Sequence, residues 1–101
     1  QTAYALARRD RPVYAVKLVQ RPADARLMPG MWELPGVVAN GAEPVLRLRH
    51  PLLQLRHSIT TTDHEVSVFA VPATKGMWVE TARLSELPLT GLARKILRRL
   101  L

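Results

Sequence analysis

The residues best suited to chemistry are three histidines, eight carboxylates, a run of threonines and two tryptophans. His50, His57 and His64 recur every seven residues, a spacing that aligns side chains on one side of a continuous helix. Pro51 interrupts such a helix and the Thr60, Thr61, Thr62 run favours strand. At a rise of roughly 3.3 Å per strand residue, the expectation is three imidazoles spread over tens of ångströms, which argues against shared zinc. The carboxylates Asp10, Asp24, Glu33, Glu43, Asp63, Glu65, Glu80 and Glu86 are scattered. Only Asp63 and Glu65 are close neighbours; on a strand they share a face, which fits a solvated surface or a hard-metal site. There is no Gly-x-Ser-x-Gly elbow, no Ser-His-acid spacing and no cysteine, so nucleophilic catalysis finds no support and an iron-sulfur cluster has no ligands. The three threonines are good strand formers and also hydroxyl donors and acceptors. Trp32 and Trp78 fit sheet packing or base stacking.

Positioning such groups requires a core. With 101 residues and 48% hydrophobic content, the chain is expected to form one domain spanning 1–101. Its mass of 11.3 kDa implies burial of roughly 65% of the unfolded surface, sufficient without disulfides or structural zinc. Fifteen basic against eight acidic residues give +7 and a pI near 11.1, which favours a polyanionic partner, nucleic acid before an anionic membrane. Apolar runs fall far short of the roughly 20 residues that span a bilayer, and no leader opens the chain. The expectation is a soluble, cytoplasmic monomer without a membrane partner. Gln1 at the start and a helical pattern running to Leu101 suggest excision from a longer protein.

Two apolar runs, Tyr4 to Ala7 and Val13 to Val19, flank Arg8-Arg9-Asp10-Arg11-Pro12 and predict a hairpin. The second run is apolar on both faces and belongs inside a sheet. Residues 21–30 form a connection, and 31–36 (MWELPG) a short strand entering a turn. From Leu52, β-branched residues and the alternation Val66, Val68, Ala70 predict two strands paired across a bend near Asp63, the second ending at Pro72. Trp78-Val79 marks another short strand. Leu89, Leu92, Ala93, Ile96, Leu97 and Leu100 form the apolar stripe of a terminal helix with Thr90 as N-cap and cations opposite. The class is α+β, a mixed sheet with a C-terminal amphipathic helix.

Three segments in order, LVQRPADARLMPGMWELPG (18–36), RHSITTTDHEVSVFAV (56–71) and MWVETARLSELPLTGLARKIL (77–97), resemble the C-terminal domain of MutY-type A/G-specific adenine DNA glycosylases. Trp-Glu-Leu-Pro-Gly also occurs in Nudix hydrolases, whose fold that glycosylase domain shares, so the resemblance implies a Nudix-like fold. A working Nudix pyrophosphatase needs a glycine, a glutamate six residues later, then an Arg-Glu and a Glu-Glu pair for magnesium. Here Ala42 stands six after Gly36, Glu43 is one place late, and residues 44–62 contain no Asp or Glu. Without those hard oxygen ligands the magnesium mechanism is lost.

The resemblance implies a DNA-repair role: recognition of 8-oxoguanine opposite misincorporated adenine. The duplex carrying that pair and the parent's N-terminal catalytic domain would be the partners. Excision itself would belong to that missing hydrolase domain, which in the family carries an iron-sulfur cluster; this fragment alone would be non-catalytic and hold no cofactor. If bacterial, the protein would associate with the nucleoid. The family's motif follows a histidine as x-Phe-Ser-His or x-Phe-Thr-His, and here His57 precedes Ser58-Ile59-Thr60-Thr61. Thr60 matches the hydroxyl position, Ile59 replaces the aromatic wedge, and Thr61 stands for the second histidine. 8-Oxoguanine carries a hydrogen on N7 and a carbonyl at position 8, inverting the acceptor that guanine presents. The Thr60 hydroxyl could accept from N7–H, and Ile59 could act as an apolar wedge or a buried sheet residue. Arg8, Arg9, Arg11, Arg47, Arg49 and Arg56 are candidate phosphate contacts, with Arg56 favoured by its place beside the motif. The alternative is a basic nucleic-acid or protein-interaction module on a degenerate Nudix fold, without lesion selectivity.

Overall fold

The computed structural model describes residues 2–37, 50–59, 61–72 and 74–101. The strands are β1 (Thr2–Leu6), β2 (Arg8–Arg9), β3 (Ala15–Gln20), β4 (Trp32–Glu33), β5 (Leu53–Ile59), β6 (Thr62–Ala70) and β7 (Met77–Glu80). A 3-10 helix (Thr81–Glu86) and helix α1 (Gly91–Leu100) follow. One sheet has the order β1-β6-β5, with β1 parallel and β5 antiparallel to β6. In the other, β2, β4 and β7 all pair antiparallel with β3. The architecture is α+β, as the sequence predicts.

β3 is apolar at successive positions because it is paired on both edges and packed over its inner face. Val16 and Leu18 are fully buried against Leu6, Leu34, Val66, Val68 and the α1 residues Ala93, Ile96 and Leu97. In β5, half-buried Leu53, Leu55 and His57 alternate with exposed Gln54, Arg56 and Ser58, the period of a strand with one covered face. Helix α1 exposes Arg94, Arg98 and Arg99 while its apolar stripe completes the core. Thr90 caps it as expected: its buried Oγ1 accepts from the Ala93 amide at 3.1 Å. Gly76 enters β7 at φ +116°, and a Cβ there would stand 2.5 Å from the Leu18 carbonyl oxygen, so this close approach of backbones requires glycine.

Two segments join the sheets: the chain passes from β1 through Ala7 into β2, and residues 31–37 bridge β3 and β1. Trp32 and Glu33 pair with Gln20 and Val19 of β3. Immediately afterwards the Ala5 amide donates to the Pro35 carbonyl and the Val37 amide to the Ala3 carbonyl, both at 2.9 Å, which fastens the chain to β1. Trp32 also donates to the Pro88 carbonyl at 2.8 Å and accepts from the Thr90 amide at 2.9 Å, fixing the entry to α1. Arg21 holds the same segment through a 3.0 Å ion pair with Glu33, both half-buried. Burial, reinforced by the Glu33 carboxylate and opposed by Arg21, raises the pKa of the adjacent Tyr4 phenol.

Two expectations need correction. Tyr4 to Leu6 does not form a hairpin with Val13 to Val19: β1 lies parallel to the distant β6, and the fold-back on β3 involves Arg8 and Arg9, paired with Val16 and Ala15, and the Ala7 carbonyl, which accepts from the Lys17 amide at 3.0 Å. Apolar patterning specifies which face of a run is buried, not whether its neighbour is local, and Val13 and Tyr14 are 43% and 68% exposed in the loop before β3. Asp63 lies within β6 rather than at the bend, since it pairs with Ser58 and Ile59 pairs with Thr62, with Thr61 a turn residue between the strands. This register keeps Leu53, Leu55, Val66 and Val68 on one face, and Asp63 finds its partner across the ladder in the Ser58 hydroxyl. The 3-10 turn at 81–86 carries no periodic signal and was unforeseen.

Thr90→Ala is expected to lower unfolding free energy by about 1 kcal/mol in denaturant titration, and Thr90→Ser to restore most of it.

Candidate nucleic-acid interface

The β5–β6 hairpin carries the motif residues. Cross-strand partners share a face, so its two faces have distinct chemistry. On one lie the pairs Ile59–Thr62 and His57–His64; on the other lie Ser58–Asp63 and Arg56–Glu65. His57 and His64 are half-buried, while Arg56, Ser58, Thr61, Thr62, Asp63 and Glu65 are exposed. The Ser58 hydroxyl donates to Asp63 Oδ1. The Arg56 guanidinium approaches Glu65 at 3.8 Å, with the two side chains 72% and 71% exposed, so the pair is weakly held and solvated. Lys95 of α1 donates to the Arg56 carbonyl at 3.1 Å and ties the hairpin to the helix.

Thr60 lies outside the described residues, as does the Ile59 side chain. Their neighbours fix the connection between them: Ile59 ends β5, Thr61 is an exposed turn residue and Thr62 opens β6. The expectation that the histidines stand far apart is overturned for two of them. His57 and His64 face each other directly, because the seven-residue spacing spans a hairpin and brings the strands into register. His50 precedes β5 and is exposed. Among the described residues no three histidine or carboxylate side chains converge as a metal site would require. Asp63 and Glu65 share the solvated face and engage Ser58 and Arg56.

The tryptophans divide. Trp32 packs against the core and its backbone joins the sheets. Trp78 lies opposite Lys17 in the β3–β7 ladder. The Arg9 guanidinium is 4.6 Å and the Lys17 ammonium 5.1 Å from its ring centroid. Sequence reasoning named Arg9 and Trp78 separately but missed their meeting, which depends on β2 and β7 both pairing with β3. Arg8 and Arg11 are exposed nearby in sequence, whereas Arg47 and Arg49 fall outside the described residues. So do Ala42 and Glu43, the positions bearing on a Nudix magnesium site.

Solved structures share this arrangement of strands and helix. The C-terminal domain of mouse MUTYH, crystallised with human PCNA, superposes with a TM-score of 0.63 at 20% identity, over 96% of this chain and 83% of that one. The M. smegmatis Nudix hydrolase RenU gives 0.59 at 20% identity, over 98% of this chain and 84% of that one. The fold is Nudix-like. At this identity the likeness establishes architecture alone. No family model matches the sequence, and no curated protein does.

Because the Arg56–Glu65 pair is solvent-screened, Arg56→Ala is expected to change unfolding free energy by no more than about 0.5 kcal/mol, measured by denaturant titration. A loss above about 2 kcal/mol would reveal a structural role instead.

Proposed function

We propose that this chain is a lesion-recognition domain of a DNA-repair glycosylase, reading 8-oxoguanine opposite adenine while a separate catalytic domain removes the adenine. The observation that carries the reading is the hairpin itself: the motif falls where β5 gives way to β6, and the hydroxyl residues Ser58, Thr61 and Thr62 there are exposed, as is Arg56. The ordered resemblance to MutY-type glycosylases and the fold shared with the MUTYH C-terminal domain support the same assignment. The Nudix alternative lacks its chemistry, since residues 44–62 contain no acid to hold magnesium.

In this reading Arg56 contacts phosphate and sets the position of the hairpin, whereas the connection itself reads the base. Thr60 accepts from N7–H of 8-oxoguanine, and backbone amides beside it donate to the new carbonyl. Guanine offers an acceptor at N7 and no oxygen at position 8, so the same groups find no complement. Ser58 already donates to Asp63, so it is a weaker candidate for base contact than the threonines that follow it. Ile59 supplies an apolar wedge, and His57, two residues earlier on β5 and paired with His64, supports the strand behind it. Adenine is flipped and hydrolysed elsewhere in the parent enzyme, so a reader of the opposite strand limits excision to damaged pairs. The domain acts as a monomer in the compartment that holds DNA, needs no cofactor of its own and catalyses no step alone.

Affinities for matched duplexes carrying 8-oxoguanine or guanine opposite adenine, measured at about 0.15 M salt, test this. The domain is expected to prefer the lesion, and Thr60→Val to abolish that preference, a loss of about 1–2 kcal/mol, with stability nearly intact. Equal preference in variant and parent would remove Thr60 from the site. No preference in the parent would overturn the proposed function.

A further inference from the structure

Trp78 stands on the second sheet, away from the β5–β6 hairpin in topology, and it organises a basic surface that lesion reading does not use. Lys17 is its direct cross-strand partner, and Arg9 reaches the same ring from β2. Arg8 and Arg11 are exposed beside Arg9. Among the described residues, none of these four cations has a carboxylate within ion-pair distance, although Asp10 and Glu80 are nearby in the chain and the ladder. Lys17 spends one donor on the Gly76 carbonyl at 3.3 Å and keeps two. The surface continues into an open hollow of about 750 Å³ that Arg8, Arg9 and the exposed Tyr14 help to line.

We propose that Arg9 and Lys17, held over the ring of Trp78, form a phosphate-backbone clamp for duplex DNA, independent of the base that the hairpin reads. Cations resting on an aromatic face are partly restrained before a ligand arrives, so less side-chain freedom is lost when they meet a phosphate. A guanidinium presents a fork of donors suited to phosphate oxygens, and an ammonium adds a point charge. Backbone contacts of this kind position a protein on the duplex and carry no sequence information. The chain's net charge of +7 supplies the matching long-range attraction. The inference rests on the lesion-reader reading only in taking duplex DNA as the partner.

The test uses the 101-residue chain with undamaged and 8-oxoguanine-containing duplexes, following the two tryptophan indole N–H signals by NMR and measuring affinity against salt. Trp78→Phe assigns its signal and keeps a ring under the cations. The Trp78 signal is expected to shift equally with either duplex. In Arg9→Gln/Lys17→Gln, with its fold checked by its spectrum, the slope of log affinity against log salt should fall by about two for both duplexes. The ratio between the two affinities should stay unchanged. If the double variant fails to fold, Arg9→Gln alone should lower the slope by about one. An unchanged slope, a loss confined to the lesion duplex, or no binding to either duplex overturns the clamp, as would binding to phosphatidylserine vesicles but not to DNA. Equal affinity of the parent for both duplexes, lost in the double variant, supports the clamp while contradicting the lesion reader.

Discussion

The backbone of Trp32 to Val37 is the constraint on which the rest depends. Within six residues the chain pairs with β3, bonds to β1 and receives the entry to α1. It is the second tie between the sheets, one built on β3 and the other on β6, beside the direct passage of the chain from β1 through Ala7 into β2. Leu34 and Pro35 make this a buried crossing, and the Arg21–Glu33 ion pair secures its polar edge. Both partners are half-buried, so removing one leaves the other charge partly desolvated without its counter-ion. The Arg-Pro and Trp-Glu-Leu-Pro-Gly motifs are thus chiefly architectural, which explains why they mark a fold shared by hydrolases and non-catalytic domains and do not by themselves distinguish function.

From this frame the β5–β6 hairpin extends as a two-faced ribbon. Its inner face begins with core residues Leu53, Leu55, Val66 and Val68 and ends with the His57–His64 pair. The outer face is solvated and carries Arg56. The hydrogen bond from Lys95 to the Arg56 carbonyl couples the ribbon's position to α1, whose own start is set by Trp32 and Thr90. A reader presented on rigid elements can discriminate between bases that differ by a few atoms, because misplacement would cost as much as the hydrogen bonds it seeks.

Local features were legible in the sequence: the short strand within 31–36, β3 as an inner strand paired on both edges, the α1 stripe and the Thr90 cap all follow from periodicity or hydroxyl chemistry. Non-local pairing was not. The parallel β1–β6 ladder and the Arg9–Trp78–Lys17 cluster each join residues whose spacing along the chain encodes nothing about their contact, whereas the His57–His64 pair follows from the hairpin once its register is known. The bend was misplaced because Asp63 is a common turn residue, whereas the inward alternation of Val66 and Val68 sets the register. The hairpin's position as a candidate site was readable only through resemblance, since Ser, Ile and Thr in series are equally ordinary strand residues.

The proposed function requires the β5–β6 hairpin to distinguish 8-oxoguanine from guanine. The most direct measurement is an NMR titration of this chain with matched duplexes carrying either base opposite adenine. Signals of His57 to Thr62 should shift with the lesion duplex and remain still with its undamaged counterpart. Equal shifts of those signals with both duplexes, or shifts confined to arginine-bearing surfaces, would contradict it.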